Sequence, residues 1–182
     1  ANSFSRGMSD IIFNKIAAYV AGHVQISFNE KAQRYKTIFR DRDRILPIVE
    51  KNVDGLRSLD EAIGVFTRAI GNGKADNVII VGINLEQKVD EKLQKEYEQS
   101  FKIVEGKFDD LKKVDIENPV IISTEKAKYL NLRLNDSIRV RFTNMNGQNQ
   151  AAKLNVVGII KNDNIFMQGV LFLDIRNVKK LM

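Results

Sequence analysis

Val120-Ile-Ile-Ser-Thr-Glu-Lys-Ala-Lys-Tyr-Leu-Asn-Leu-Arg-Leu-Asn-Asp-Ser-Ile-Arg-Val-Arg-Phe142 is the stretch that decides the fold. The apolar run after Pro119 predicts a strand over residues 120–122. Ser123-Thr124-Glu125-Lys126 then supplies a helix N-cap, because a hydroxyl oxygen accepts a hydrogen bond from a free backbone N–H of the first turn. Ala127, Leu130 and Leu132 fall on the inward side of the short helix that follows. Asn135-Asp136 turns the chain into a strand over residues 138–142. Residues 144–149 form a polar hairpin tip, and residues 151–160 return from it. A last strand over residues 170–173 and a short helix over 175–181 close the sequence.

Upstream, residues 78–83 are apolar at every position, as in a central strand covered on both faces. A turn over residues 71–76 joins them to a long strand over 56–70. Residues 85–97 place Leu85, Val89, Leu93 and Tyr97 four apart, a helix with one apolar edge. Residues 109–117 are charged and read as a solvated linker. Nearer the start, residues 8–20 have helical spacing, residues 23–28 alternate like a strand, and residues 29–43 form a polar, basic loop. Residues 45–53 predict a helix with Pro47 in its first turn, ended by Gly55. The elements amount to an α/β (α+β) protein.

Composition narrows the function. The chain of 182 residues has an apolar fraction of 43%, enough for a core, and no Cys, which excludes disulfides, thiolate metal sites and a Cys nucleophile. The net charge is +6, but its cations mostly alternate with acids, as in Arg40-Asp41-Arg42-Asp43-Arg44, the pattern of a solvated face. No basic run is interleaved with aromatics for stacking bases, so no nucleic-acid partner is expected. No apolar run reaches the roughly 20 residues that cross a bilayer. The start at Ala1, without a basic and then apolar leader, reads as a piece of a longer protein.

Candidates for chemistry resolve into structure. His23 is the only histidine and lacks the partners a metal needs. Gly71-Asn72-Gly73-Lys74 lacks the earlier Gly and the following Ser/Thr of a phosphate loop, since Arg68 and Ala75 occupy those positions. Ser123 and Thr124 have no base nearby in sequence, and Asp109-Asp110 and Asp115 with Glu117 lack the alternating ligands of a cation site. No catalytic residue, metal ligand or cofactor site is expected. Two features suit contact with a partner: the polar tip with Asn144, Asn146 and Gly147, and the apolar triplet Ile165, Phe166 and Met167 in an expected loop. A plain core contact explains the triplet equally well.

The pieces together resemble the extracytoplasmic domain of MacB/LolC-type ABC transporter permeases, the FtsX-like superfamily. The matching places are Gly7-Met8, Ala21-Gly22-His23-Val24-Gln25-Ile26, Val81-Gly82-Ile83-Asn84 and Ile103-Val104-Glu105-Gly106-Lys107-Phe108. They continue with Ile121-Ile122-Ser123 leading to Ala127 and Leu130, then Leu134-Asn135-Asp136-Ser137-Ile138-Arg139-Val140. Val156-Val157-Gly158-Ile159 and Val178-Lys179-Lys180-Leu181 complete the series. Each is weak alone; their order and spacing over nearly the full length carry the resemblance. The chain departs from the family at Asn135, where members commonly have Gly, and in the loop 29–43, which has no counterpart.

The resemblance implies a segment between the first and second of four transmembrane helices, on the periplasmic side of the inner membrane. It implies a membrane-proximal mixed α/β lobe, residues 1–104 plus 164–182, and a smaller β-rich lobe, residues 105–163. It implies no enzymatic activity in this domain. The expected partners are a cytoplasmic ATPase subunit, a second permease subunit and a periplasmic carrier or lipoprotein cargo. Lipoprotein release is the branch that Gly22–Ile26 and Val178–Leu181 resemble best; efflux is the alternative within the family, and a free-standing soluble binding module is the alternative outside it.

Overall fold

β2 (Ala75–Ile83) fixes the architecture, because both of its faces are apolar and both find cover. Val78 and Ile80 enter one core cluster, while Val81, with Ile79 and Ile83 against it, joins a second cluster on the other face. The protein is described here by a computed structural model covering residues 42–56, 59, 61, 63–86, 102–144, 147–161 and 165–182. The helix and strand expected over residues 8–20 and 23–28 lie outside those residues, as does the loop expected over 29–43 up to residue 41; Arg42 and Asp43 are helical. The expected helix 85–97 lies outside them beyond Glu86.

Around β2 the described strands form a mixed sheet of seven: β1 (Ile63–Ile70), β2, β3 (Lys102–Gly106), β4 (Pro119–Ser123), β5 (Ser137–Thr143), β6 (Asn149–Lys161) and β7 (Val170–Asp174). β1 pairs antiparallel with β2, β2 parallel with β7, β7 antiparallel with β4, and β4 parallel with β6. β5 pairs antiparallel with both β6 and β1, which closes six strands into a barrel. Hydrogen bonds place β4 and β5 on opposite edges of β6. Val156 N donates to Asp136 O (2.9 Å) and Val156 O accepts from Asn135 N (2.8 Å), whereas Asn155 N donates to Asn118 O (3.1 Å). β3 extends the sheet beyond the ring on β6.

The first core cluster fills the barrel. Ala69, Ile80, Ile122, Val140, Leu154 and Leu171 all point inward from different strands. Full burial of such a side chain contributes about 1.5–3 kcal/mol, so this interior is the main source of stability. Helix α2 (Thr124–Leu130) brings Ala127 and Leu130 into the same cluster, and α3 (Ile175–Leu181) brings Val178. A register shift at Val157 lets Val156 and Ile159 both face inward and Val157 and Ile160 both face outward. This is what a one-residue bulge does to a period of two.

Several expectations shift at their edges. α1 (Arg42–Asn52) starts earlier than residue 45, so Pro47 lies mid-helix rather than in the first turn; Gly55 takes φ +73° after it. The long strand over residues 56–70 is shorter: β1 begins at Ile63, paired to Gly82, one residue from the end of its partner β2. The expected linker over residues 109–117 contains a 3-10 helix, Phe108–Lys112, which buries Leu111 against the second cluster. β3 went unassigned as a strand, since its Lys102, Val104 and Glu105 are exposed and only Ile103 is partly covered. Strands from both expected lobes share the one sheet. The boundaries at residues 104/105 and 163/164 would run through the β4–β7, β1–β5 and β3–β6 ladders.

Candidate interaction surfaces

Ser123 shows how the sequence spends its polar groups. Fully buried at the end of β4, its Oγ accepts from Lys126 N (3.0 Å), capping α2, and donates to the Gln168 carbonyl (2.7 Å). Both capacities of the hydroxyl are used for structure. Lys126, nine-tenths buried, forms an ion pair with Asp76 on β2, and that hydrogen bond holds the Asp76 carboxyl below the ordinary aspartate value. The β1–β2 turn docks on the far end of α2. Asn72 N donates to Leu130 O (3.1 Å), and the Asn72 side chain donates to Asn131 O (2.9 Å) and Asp136 (3.2 Å). The Gly71–Lys74 turn is thus a clamp on a helix end.

The described ends of the hairpin tip bond to each other. Asn144 N donates to Gln148 O (2.9 Å), the Asn144 side-chain oxygen accepts from Gln148 N (2.9 Å), and Gly147 N donates to Asn144 O (3.0 Å). Gly147 has φ +76°, a conformation that suits a residue without a β-carbon. Asn144 is only 6% exposed, so it closes the tip and presents little to a partner. Asn146 lies outside the described residues. The apolar triplet forms a 3-10 turn, Ile165–Met167, and its ends diverge: Ile165 is 68% exposed, whereas Met167 is 2% exposed in the second core cluster. The Phe166 side chain lies outside what is described. Asn144 and Gly147 therefore act together, and of the two described side chains of the triplet Ile165 is the one that faces solvent.

At the other end of β7, α3 is anchored by charge and by shape. Buried Asp174 caps it, accepting from Arg176 N (2.8 Å) and pairing with the guanidinium (2.6 Å), which also reaches Glu86 (2.6 Å). Lys179 pairs with Glu61 (2.5 Å). Asp109 and Asp110 pair with Lys112 (3.3 Å) and Lys113 (3.0 Å) on the surface. Among the described residues there is no group of three His, Asp or Glu placed to hold a metal ion, and no helix is long and apolar enough to cross a membrane.

One cluster escaped the sequence. Arg68, Arg139, Arg141 and Lys153 come from three strands and lie side by side on the outside of the barrel. The alternation Arg139-Val140-Arg141 signals that both arginines face out. Only the register reveals which cations stand next to them.

No family model matches the sequence, and no curated protein matches it. Among solved structures, the chain is similar to the extracellular domain of the noncanonic ABC-type transporter YknZ from Gram-positive bacteria. The identity is 17% and the TM-score 0.49, over 85% of this chain and 66% of that one. It is also similar to the periplasmic region of MacB from Actinobacillus actinomycetemcomitans, with 12% identity and a TM-score of 0.45, over 84% of this chain and 64% of that one. The chain thus spans just under two thirds of the length of each.

Proposed function

We propose that this chain is the extracytoplasmic domain of an ABC transporter permease of the MacB/LolC type, a non-catalytic coupler between cytoplasmic ATP hydrolysis and work outside the membrane. The observation that carries the proposal is where the family-like segments lie. Ile121, Ile122 and Ser123 form most of β4; Ala127 and Leu130 line the inner side of α2; Leu134 to Val140 leads into β5; Val156 to Ile159 is the bulged middle of β6; Val178 to Leu181 ends α3. Segments far apart in sequence meet around one core, so their order in the chain is matched by a shared packing unit.

Within this proposal α3 acts as the lever. It crosses β2 at Gly82 in direct contact and is pinned through Asp174, Arg176 and Lys179. A close-packed interior transmits displacement rather than absorbing it. Relative motion of the two expected lobes would have to open the β4–β7 and β1–β5 ladders, each with three paired positions, and the first pairs of β3 with β6. The barrel is therefore better suited to move as one body. Lipoprotein release is the first candidate for the work done, with efflux second.

The test is the full-length protein. Apolar spans of roughly 20 residues on both sides of this segment, and co-purification of the membrane-extracted protein with an ATPase subunit, are expected. Flanks without such spans would overturn the proposal in favour of a free-standing module. Crosslinking in intact cells separates the two kinds of work: an acylated protein trapped on the domain supports lipoprotein release, and turnover with no acylated protein trapped rejects it.

A further inference from the structure

Among the described residues, the barrel wall is roofed on one half and left open on the other. Outside β2, β4 and β7 lies the second apolar cluster, covered by Phe108, Leu111 and Met167. Outside β1, β5 and the first half of β6, the outward positions include Phe66, Arg68, Arg139, Arg141, Ala151 and Lys153, all of them exposed.

Register brings the cations together. Arg68 stands opposite Arg141, Arg139 opposite Lys153, and Arg141 opposite Ala151. Direct cross-strand partners have β-carbons about 5 Å apart, and successive positions on one face are about 7 Å apart. Four cations therefore share a patch on the order of 10 Å across. β1, β5 and β6 contain no Asp or Glu, and among the described residues none of the four cations is in an ion pair. Like charges directly opposite each other weaken a sheet, so this face carries a repulsion that an anionic partner relieves.

Phe66 decides the kind of anion. It is 82% exposed and lies two residues from Arg68 on the same face of β1, so an aromatic ring stands at the rim of the patch. A wholly acidic peptide such as polyglutamate would satisfy the cations and leave the ring in water. An anionic bilayer takes both: the ring enters the interfacial layer, and the cations meet headgroup phosphates.

We propose that the outer face of β1, β5 and β6 docks on an anionic phospholipid bilayer, with Arg68, Arg139, Arg141 and Lys153 over the headgroups and Phe66 in the interface. The docking does not depend on the permease reading, and it would hold for a free-standing module as well.

The chain has no Trp, so Phe66→Trp installs a single indole at the proposed contact. Phosphatidylcholine vesicles containing phosphatidylglycerol should blue-shift its emission and co-sediment the protein, and phosphatidylcholine alone should do neither. Salt should reverse binding of the unsubstituted chain to the same vesicles, a measurement that requires no variant to fold. Arg139→Gln and Arg141→Gln should each weaken vesicle binding about fivefold. Phe66→Ser should weaken binding to vesicles but not to polyglutamate. Absence of the blue shift on phosphatidylglycerol vesicles, or vesicle binding indifferent to salt, would overturn the proposal. Equal loss by Phe66→Ser on polyglutamate and on vesicles would overturn it in favour of an acidic polypeptide.

Discussion

Gly82 lies against Ile175 so closely that a β-carbon on Gly82 would stand 3.0 Å from Ile175 Cα and 3.1 Å from its Cγ1. β2 is covered on both faces and α3 packs on its inward one, so this contact sets how deeply α3 seats. Both neighbouring atoms belong to a buried residue that has no room to retreat. Gly82→Val should therefore destabilise the protein by about 1–3 kcal/mol, the usual cost of overpacking. Chemical denaturation measures it, and hydrogen exchange should show the loss concentrated in α3. An unchanged midpoint would mean that α3 is not held against β2.

The Asp76–Lys126 pair makes stability depend on pH in one direction. The folded-state pKa of Asp76 is lowered, chiefly by the hydrogen bond from Lys126. A lowered carboxylate pKa adds stability above the unfolded value, and that stability is lost as pH falls through the folded value. Wild type should lose this share below about pH 4. Asp76→Asn should cost on the order of 1 kcal/mol at neutral pH, because it leaves a nine-tenths buried ammonium without its carboxylate. Its unfolding free energy should also fall less steeply in acid than that of wild type. Parallel acid limbs for the two proteins would show that the pair is not formed.

Gly106 should be equally intolerant for a different reason. It sits at φ +77° where β3 meets β6, and a β-carbon there would collide with the Val157 carbonyl. The left-handed conformation alone costs an L-residue roughly 1–2 kcal/mol. Gly106→Ala should release β3 while leaving the barrel closed, since β3 lies outside the ring. Faster amide exchange in residues 102–106 with a preserved main unfolding transition is the expected result.

These positions mark what the sequence could and could not disclose. Ser123 as a cap, the turn at Asn135 (φ +70°), and β2 buried on both faces were legible, because each depends on residues within a few positions of one another. The barrel was not. Its closure depends on β5 pairing with both β1 and β6, and no local pattern encodes that choice. For the same reason the patch of Arg68, Arg139, Arg141 and Lys153 stayed hidden, although the alternation Arg139-Val140-Arg141 puts two of its residues on an outward face. Leu111 was obscured by its charged neighbours, which suggested solvent and concealed the single apolar side chain that anchors the segment.

Ile165 and Met167, two residues apart, separate contact from core in the apolar triplet. Met167 is buried among Val81, Ile121 and Phe172 in the second cluster, so Met167→Ala should cost about 2–5 kcal/mol, visible as a lowered denaturation midpoint. Ile165 is largely in solvent, and Ile165→Ser should change stability by less than about 0.5 kcal/mol. If the triplet meets a partner, Ile165→Ser in the full-length protein should reduce recovery of that partner while expression and melting stay unchanged. A variant that melts early would instead place Ile165 in the core. One that melts normally and still recovers the partner would remove Ile165 from the contact surface and leave Phe166 and the hairpin tip as the remaining sequence-derived candidates.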